Sequence, residues 1–163
     1  MLGLTTLGVF HTAISLVAVA AGAILLIRNG AITPRSGLGK IYIAATLIVC
    51  LTSFGIFQHG GFGKAHMLGI ITLIVLGVAF LAGSTSLFGR LSRAVETVSY
   101  SATFLFHWIP AITETATRLP AGAPLAANPD VPGLQIATAA LVALFLLGAT
   151  LQVRRLRAES PVR

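Results

Sequence analysis

Acidic residues number four in a chain of 163, and cysteine occurs once, at Cys50. A lone cysteine among apolar neighbours excludes a disulfide framework and reads as a small core residue with no redox role. Charged residues of both signs make up 9%, where a soluble domain carries about 25%. A chain this short buries too little of its own surface to hide the 56% of apolar residues it contains. A soluble enzyme, a disordered tail and a disulfide scaffold are therefore excluded. No lysine or arginine precedes the first apolar run, so Ala18-Val19-Ala20, although of small-x-small form, lacks the basic leader of a secretory signal. That run is expected to stay as a helix.

What the chain does have is long apolar stretches, with a mean hydropathy of +0.94. A helix needs about 20 mostly apolar residues to cross a ~30 Å hydrocarbon core. The pattern predicts an all-α, polytopic transmembrane bundle forming one domain, with spans at about 4–27, 41–57, 66–82, 94–112 and 134–153. The fourth is the weakest, because it carries Glu96, Ser99, Tyr100, Ser101, Thr103, His107 and Pro110. Charge asymmetry supports counting it. With five spans, nine of the eleven basic residues (Arg28, Arg35, Lys40, Arg90, Arg93, Arg154, Arg155, Arg157 and Arg163) share one side, leaving Lys64 and Arg118 opposite. Basic residues collect on the cytoplasmic side. The expected placement is a multi-pass protein of the bacterial inner membrane, N-terminus outside and C-terminus cytoplasmic.

The same accounting explains the net charge of +7 without nucleic acid, since no soluble basic domain is present to bind it. The expected surroundings are the bilayer, with Arg154-Arg155-Leu156-Arg157 reaching anionic headgroups. The connection 113–133, with Pro120, Pro124, Pro129 and Pro132, cannot continue a helix and is expected outside, either capping the bundle or mobile.

Polar residues at membrane depth are costly and by default face the bundle interior. All four histidines belong to the outer half. His11 lies about 10 Å and His107 about 8 Å below the outer end of their helices, by the helical rise. His59 closes span two and His66 opens span three. On span four, Glu96, Tyr100, Thr103, His107, Ala111, Glu114 and Arg118 recur at three- and four-residue steps and define one face. Glu96 is the sole acid within the apolar spans; its ordinary explanation is the helix dipole, with Arg93 three residues earlier. Span one carries a stripe of small residues, Gly8, Ser15, Ala18 and Gly22, around His11. Such residues allow close helix approach or leave room for a flat ligand. On span two, Tyr42, Thr46, Cys50, Ser53 and Phe57 share a similar spacing.

Two readings stand. In one, a b-type haem is ligated by His11 and His107, with His59 and His66 as the other pair, and Ser15 and Thr103 supporting the ligands. Electrons would then pass to or from a quinol or a periplasmic redox partner. The same pair is also the candidate set for a metal ion. In the other, the protein is a non-catalytic membrane subunit or small transporter, with a polar path along span four through Glu96, Tyr100, Thr103, His107 and Glu114. No nucleophile–base set or phosphate loop points to an enzyme, so any activity would be electron transfer.

The stretch Gly37-Leu38-Gly39-Lys40-Ile41-Tyr42, followed by Gly61-Phe62-Gly63 before His66, resembles an uncharacterised family of small bacterial membrane proteins. Their multi-histidine helical bundles look like b-type cytochrome membrane domains. The resemblance covers roughly residues 4–107 and implies a haem-binding four-helix core. The family tends to place a histidine shortly before this stretch, where the chain has Arg35 and Ser36. The implication is thus at most one haem, on the outer side. Spans one and two, and three and four, form hairpins with an outer histidine on each leg, a weak internal repeat. Span five lies outside that pattern, and its Ala139 and Ala143 offer a small-xxx-small contact to the bundle or to a partner, in a homo-oligomer or a larger complex.

Overall fold

A computed structural model describes residues 5–57 and 61–159. It contains five α-helices: α1 (Thr6–Asn29), α2 (Gly37–Ser53), α3 (Lys64–Ser84), α4 (Ser92–Arg118) and α5 (Pro132–Glu159). A single 3₁₀ turn, Gly89–Leu91, leads into α4, and no strand occurs among the described residues. The expected all-α class is observed. Three helices, α1, α3 and α5, are long and apolar enough to cross a membrane; α2 is apolar but only 17 residues long.

The helix ends are set by local chemistry. Thr5 caps α1 by accepting from the Gly8 amide at 3.1 Å, and Ser36 caps α2 by accepting from Gly39 at 3.0 Å. Gly30 ends α1 at φ +69°, a left-handed conformation open to glycine, and its amide closes on the Leu26 carbonyl. Pro132 opens α5, where the missing amide proton costs nothing. α4 differs from expectation at its far end. It runs through Thr113 to Arg118, because Glu114 and Arg118 pair one turn apart, so the Pro-rich connection shortens to 119–131. That connection folds back onto α4: Ala126 donates to the Ala116 carbonyl, and Leu125 to Leu119. α2 stops at Ser53, leaving Phe57 beyond the helix.

Helices α1 to α4 form the core and α5 packs on the outside of α4. Ala18, Ala21, Leu25, Tyr42, Ala45, Leu76, Ala79 and Tyr100 meet at the centre. The small residues of α1 are used for close approach. A Cβ on Gly22 would lie 2.6 Å from the Phe104 ring and 2.9 Å from that of Tyr42. On α5 the expected small-residue contact is not made inside the bundle. Ala139 and Ala143 are exposed, and Gly148 and Ala149 line the α4 side instead. Many large apolar side chains face outward on α1, α3 and α5, among them Leu16, Ile27, Ile74, Phe80, Leu144 and Leu147.

Candidate functional site

Helix α4 turns its polar stripe inward. Glu96, Tyr100, Thr103 and His107 are all buried, at steps of four, three and four residues. What they meet is mostly α2. The Tyr42 hydroxyl lies 2.7 Å from Thr103 Oγ1, and His107 Nε2 lies 3.0 Å from Thr46 Oγ1. The Tyr42 ring packs edge-on to His107, with centroids 6.1 Å apart. From α1, His11 Nδ1 reaches Thr52 Oγ1 at 2.9 Å. Helix α2 therefore supports both histidines, through threonines six residues or about 9 Å apart along its axis.

Counting protons assigns the tautomers. A hydroxyl has one proton to give. Thr46 gives its proton to the Tyr42 carbonyl at 2.8 Å, so it accepts from His107, whose Nε2 carries hydrogen. Thr52 gives its proton to the Ile48 carbonyl at 2.8 Å, so it accepts from His11 Nδ1. In the neutral rings, the lone pairs left over are those of His11 Nε2 and His107 Nδ1. An imidazole with one nitrogen anchored as a donor and the other bare is the form that ligates metal.

His66 behaves the other way. The Gly63 amide donates to its Nδ1 at 3.2 Å, which puts the hydrogen of the neutral ring on Nε2. That atom is buried and has no partner among the described residues. Phe57 and Phe62 stack on the ring, each with centroids 5.0 Å away. His59 lies outside the described residues.

The remaining expected site residues scatter. Ser15 donates to the His11 carbonyl, not to its ring, and Thr103 serves Tyr42 rather than His107. The ring partners Thr46 and Thr52 were missed as such: Thr46 lies in the α2 spacing, but which ring a hydroxyl meets depends on helix rotation. Glu114 is exposed and held by Arg118. Glu96 is not in the first turn of α4 and does not pair with Arg93. Its carboxylate pairs with Arg35 of the α1–α2 loop at 3.0 Å, in a notch left by Gly83 of α3, while Arg93 reaches Glu159.

The polar groups of α4 do not join into one chain. Tyr42 donates to Thr103, which donates to the Tyr100 carbonyl; His107 donates to Thr46, which donates to the Tyr42 carbonyl. Both runs end on main-chain oxygen. A cleft of about 300 Å³ between α4 and α5 is lined by Phe104, Trp108 and Phe145, and by none of the histidines. Among the described residues, no three His, Cys, Asp or Glu side chains gather as a metal cluster. Comparison with protein-family models, curated proteins and solved structures finds no match.

Proposed function

We propose that this chain is a five-span integral membrane protein of the bacterial inner membrane, and that His11 and His107 hold a b-type haem near its outer face. The observation that carries this is a pair of contacts: two imidazoles, each held through one nitrogen by a threonine of α2 whose own proton goes to its helix, which leaves the second nitrogen of each neutral ring as the acceptor. Two imidazoles suit haem iron, which brings four ligands of its own, better than a bare ion, which needs three or four from the protein. The group would take up and release one electron. The chain's own part is to hold the ligand rings in one tautomer and to keep the surroundings apolar. The packing of Phe104 and Tyr42 into Gly22 restricts a flat ligand to the outer part of α1, around Gly8 and His11.

The five-span reading rests on three long apolar helices, on α2 beside them, and on α4 turning its polar face inward. The ends of α1 and α5 and the starts of α2 and α4 bear most of the basic residues and lie together, as Arg35–Glu96, Arg155–Asn29 and Arg93–Glu159 contacts require. That end is assigned to the cytoplasm. The path along α4 is the weaker reading, because its hydroxyl protons are given to carbonyls.

The test is the reduced-minus-oxidised visible spectrum of protein purified in detergent after expression with ample haem. A b-type band is expected, lost in both His11→Ala and His107→Ala. No band, or a band that survives in both variants, overturns the assignment. Reporter fusions after Glu159 and within 119–131 should read cytoplasmic and external respectively.

A further inference from the structure

Among the described histidines, His66 is buried and presents a donor where His11 and His107 are assigned acceptors. It is 4% exposed, at the third position of α3, on the face turned to α2; one turn on, a Cβ at Gly69 would lie 2.8 Å from Ser53 Oγ. Since α2 ends at Ser53, the ring sits just past that end, between the phenyl rings of Phe57 and Phe62, both of which are themselves exposed. The two nitrogens lie on different edges of the imidazole. Fixing Nδ1 on the Gly63 amide turns Nε2–H away from the helix start. A buried N–H without an acceptor is rare in native proteins, and this one calls for an oxygen.

The surroundings restrict which oxygen. The nearby cation, Lys64, is committed to Asp130 at 2.7 Å, so nothing here favours a carboxylate or phosphate. The flanking groups are aromatic rings open to the apolar exterior, which suit a flat, lipid-soluble ring. We propose that His66 Nε2–H donates to the carbonyl oxygen of a quinone-class ligand, bound at the same end of the bundle as His11, against the edge of the Phe57–His66–Phe62 stack. The site lies at the same end as His11: Thr52, which holds His11, is followed within three residues by Gly55, packed on Leu7 of α1. The proposal does not require iron at His11.

The experiment uses the full chain in nanodiscs of ether-linked lipid, which have no ester carbonyls, titrated with decylubiquinone. Saturable binding is expected, together with a saturable shift of the His66 Nε2–H resonance in ¹⁵N-histidine-labelled protein. His66→Phe should weaken binding about tenfold or more, the worth of one such bond, and His66→Gln, which keeps an N–H, should retain more. Binding and the His66 resonance are read in the wild-type protein whether or not a haem band is present, so failure here and failure of the haem assignment are separable. Non-saturable binding, or an unmoved resonance, overturns the proposal. So does the same shift in ester-linked lipid without quinone, since the acceptor is then a lipid carbonyl. If the variants do not fold, the wild-type resonance decides alone.

Discussion

The two ends of the bundle are held by different chemistry. At the end where α1 and α5 finish, charged side chains tie the elements together: Arg35 on Glu96, Arg93 on Glu159, and Arg155, paired with Glu159 of its own helix, on the Asn29 carbonyl. From the middle of the bundle to the other end, the interior ties are neutral, running from tyrosine to threonine and from histidine to threonine. The ionic end fixes which helices meet and which way they face. Neutral ties set ring orientation and tautomer, and leave lone pairs available. A ligand site belongs where orientation is controlled without charge, because a fixed positive charge beside a ligand imidazole would compete with the metal for its lone pair.

Breaking the ionic end has the largest expected effect on stability. Glu96 is 5% exposed, whereas the Arg35 side chain is 65% exposed. Arg35→Ala therefore leaves a buried carboxylate without its partner, at a cost of about 1–3 kcal/mol, below that of a fully buried pair because water screens the arginine. Adding Glu96→Leu removes the stranded charge and should recover most of the loss. Unfolding in mixed micelles measures both. If the single variant is as stable as the wild type, Glu96 is not held by Arg35.

At the neutral end, Thr46→Val removes the acceptor for His107 Nε2–H and frees the ring to turn. One hydrogen bond between membrane helices is worth about 0.6 kcal/mol, so stability should change little. Retention of the proposed haem, by contrast, should fall about tenfold or more, the usual cost of losing a partner that orients a ligand. Thr52→Val should act likewise through His11. A stable Thr46→Val protein with unaltered haem content would mean that His107 does not depend on Thr46 for its role. The two ends thus separate by readout: the ionic pair moves stability, and the threonines move ligand content.

The sequence made the all-α class and the three long apolar helices legible, because apolar length survives averaging over a helix. The inward face of α4 was legible as well, since Glu96, Tyr100, Thr103 and His107 keep helical spacing among apolar neighbours. Glu96 was read locally, against Arg93 and the helix dipole, yet its partner lies 61 residues away on a loop. A notch made by the absence of a side chain at Gly83 leaves no periodic trace. The same holds for Thr46 and Thr52. Threonine in an apolar helix ordinarily bonds back to its own turn, and these two do so; their second role, accepting from a ring, appears only once α1 and α4 are packed against α2.

The outer rim supplies the smallest effect and the cleanest control. Lys64 and Asp130 are in contact at 2.7 Å, but both side chains are exposed, and an ion pair in water contributes about 0–1 kcal/mol. Lys64→Ala should leave the unfolding midpoint within a few tenths of a kcal/mol of the wild type, and any change should vanish in high salt. The pair nonetheless ties the start of α3 to the connection 119–131, beside His66. If Lys64→Ala were to cost as much as Arg35→Ala, the contrast between the ends would fail, because the outer half would also be held by charge. A salt-insensitive loss would point to the same conclusion from the other side, since screening acts on exposed pairs and not on buried ones.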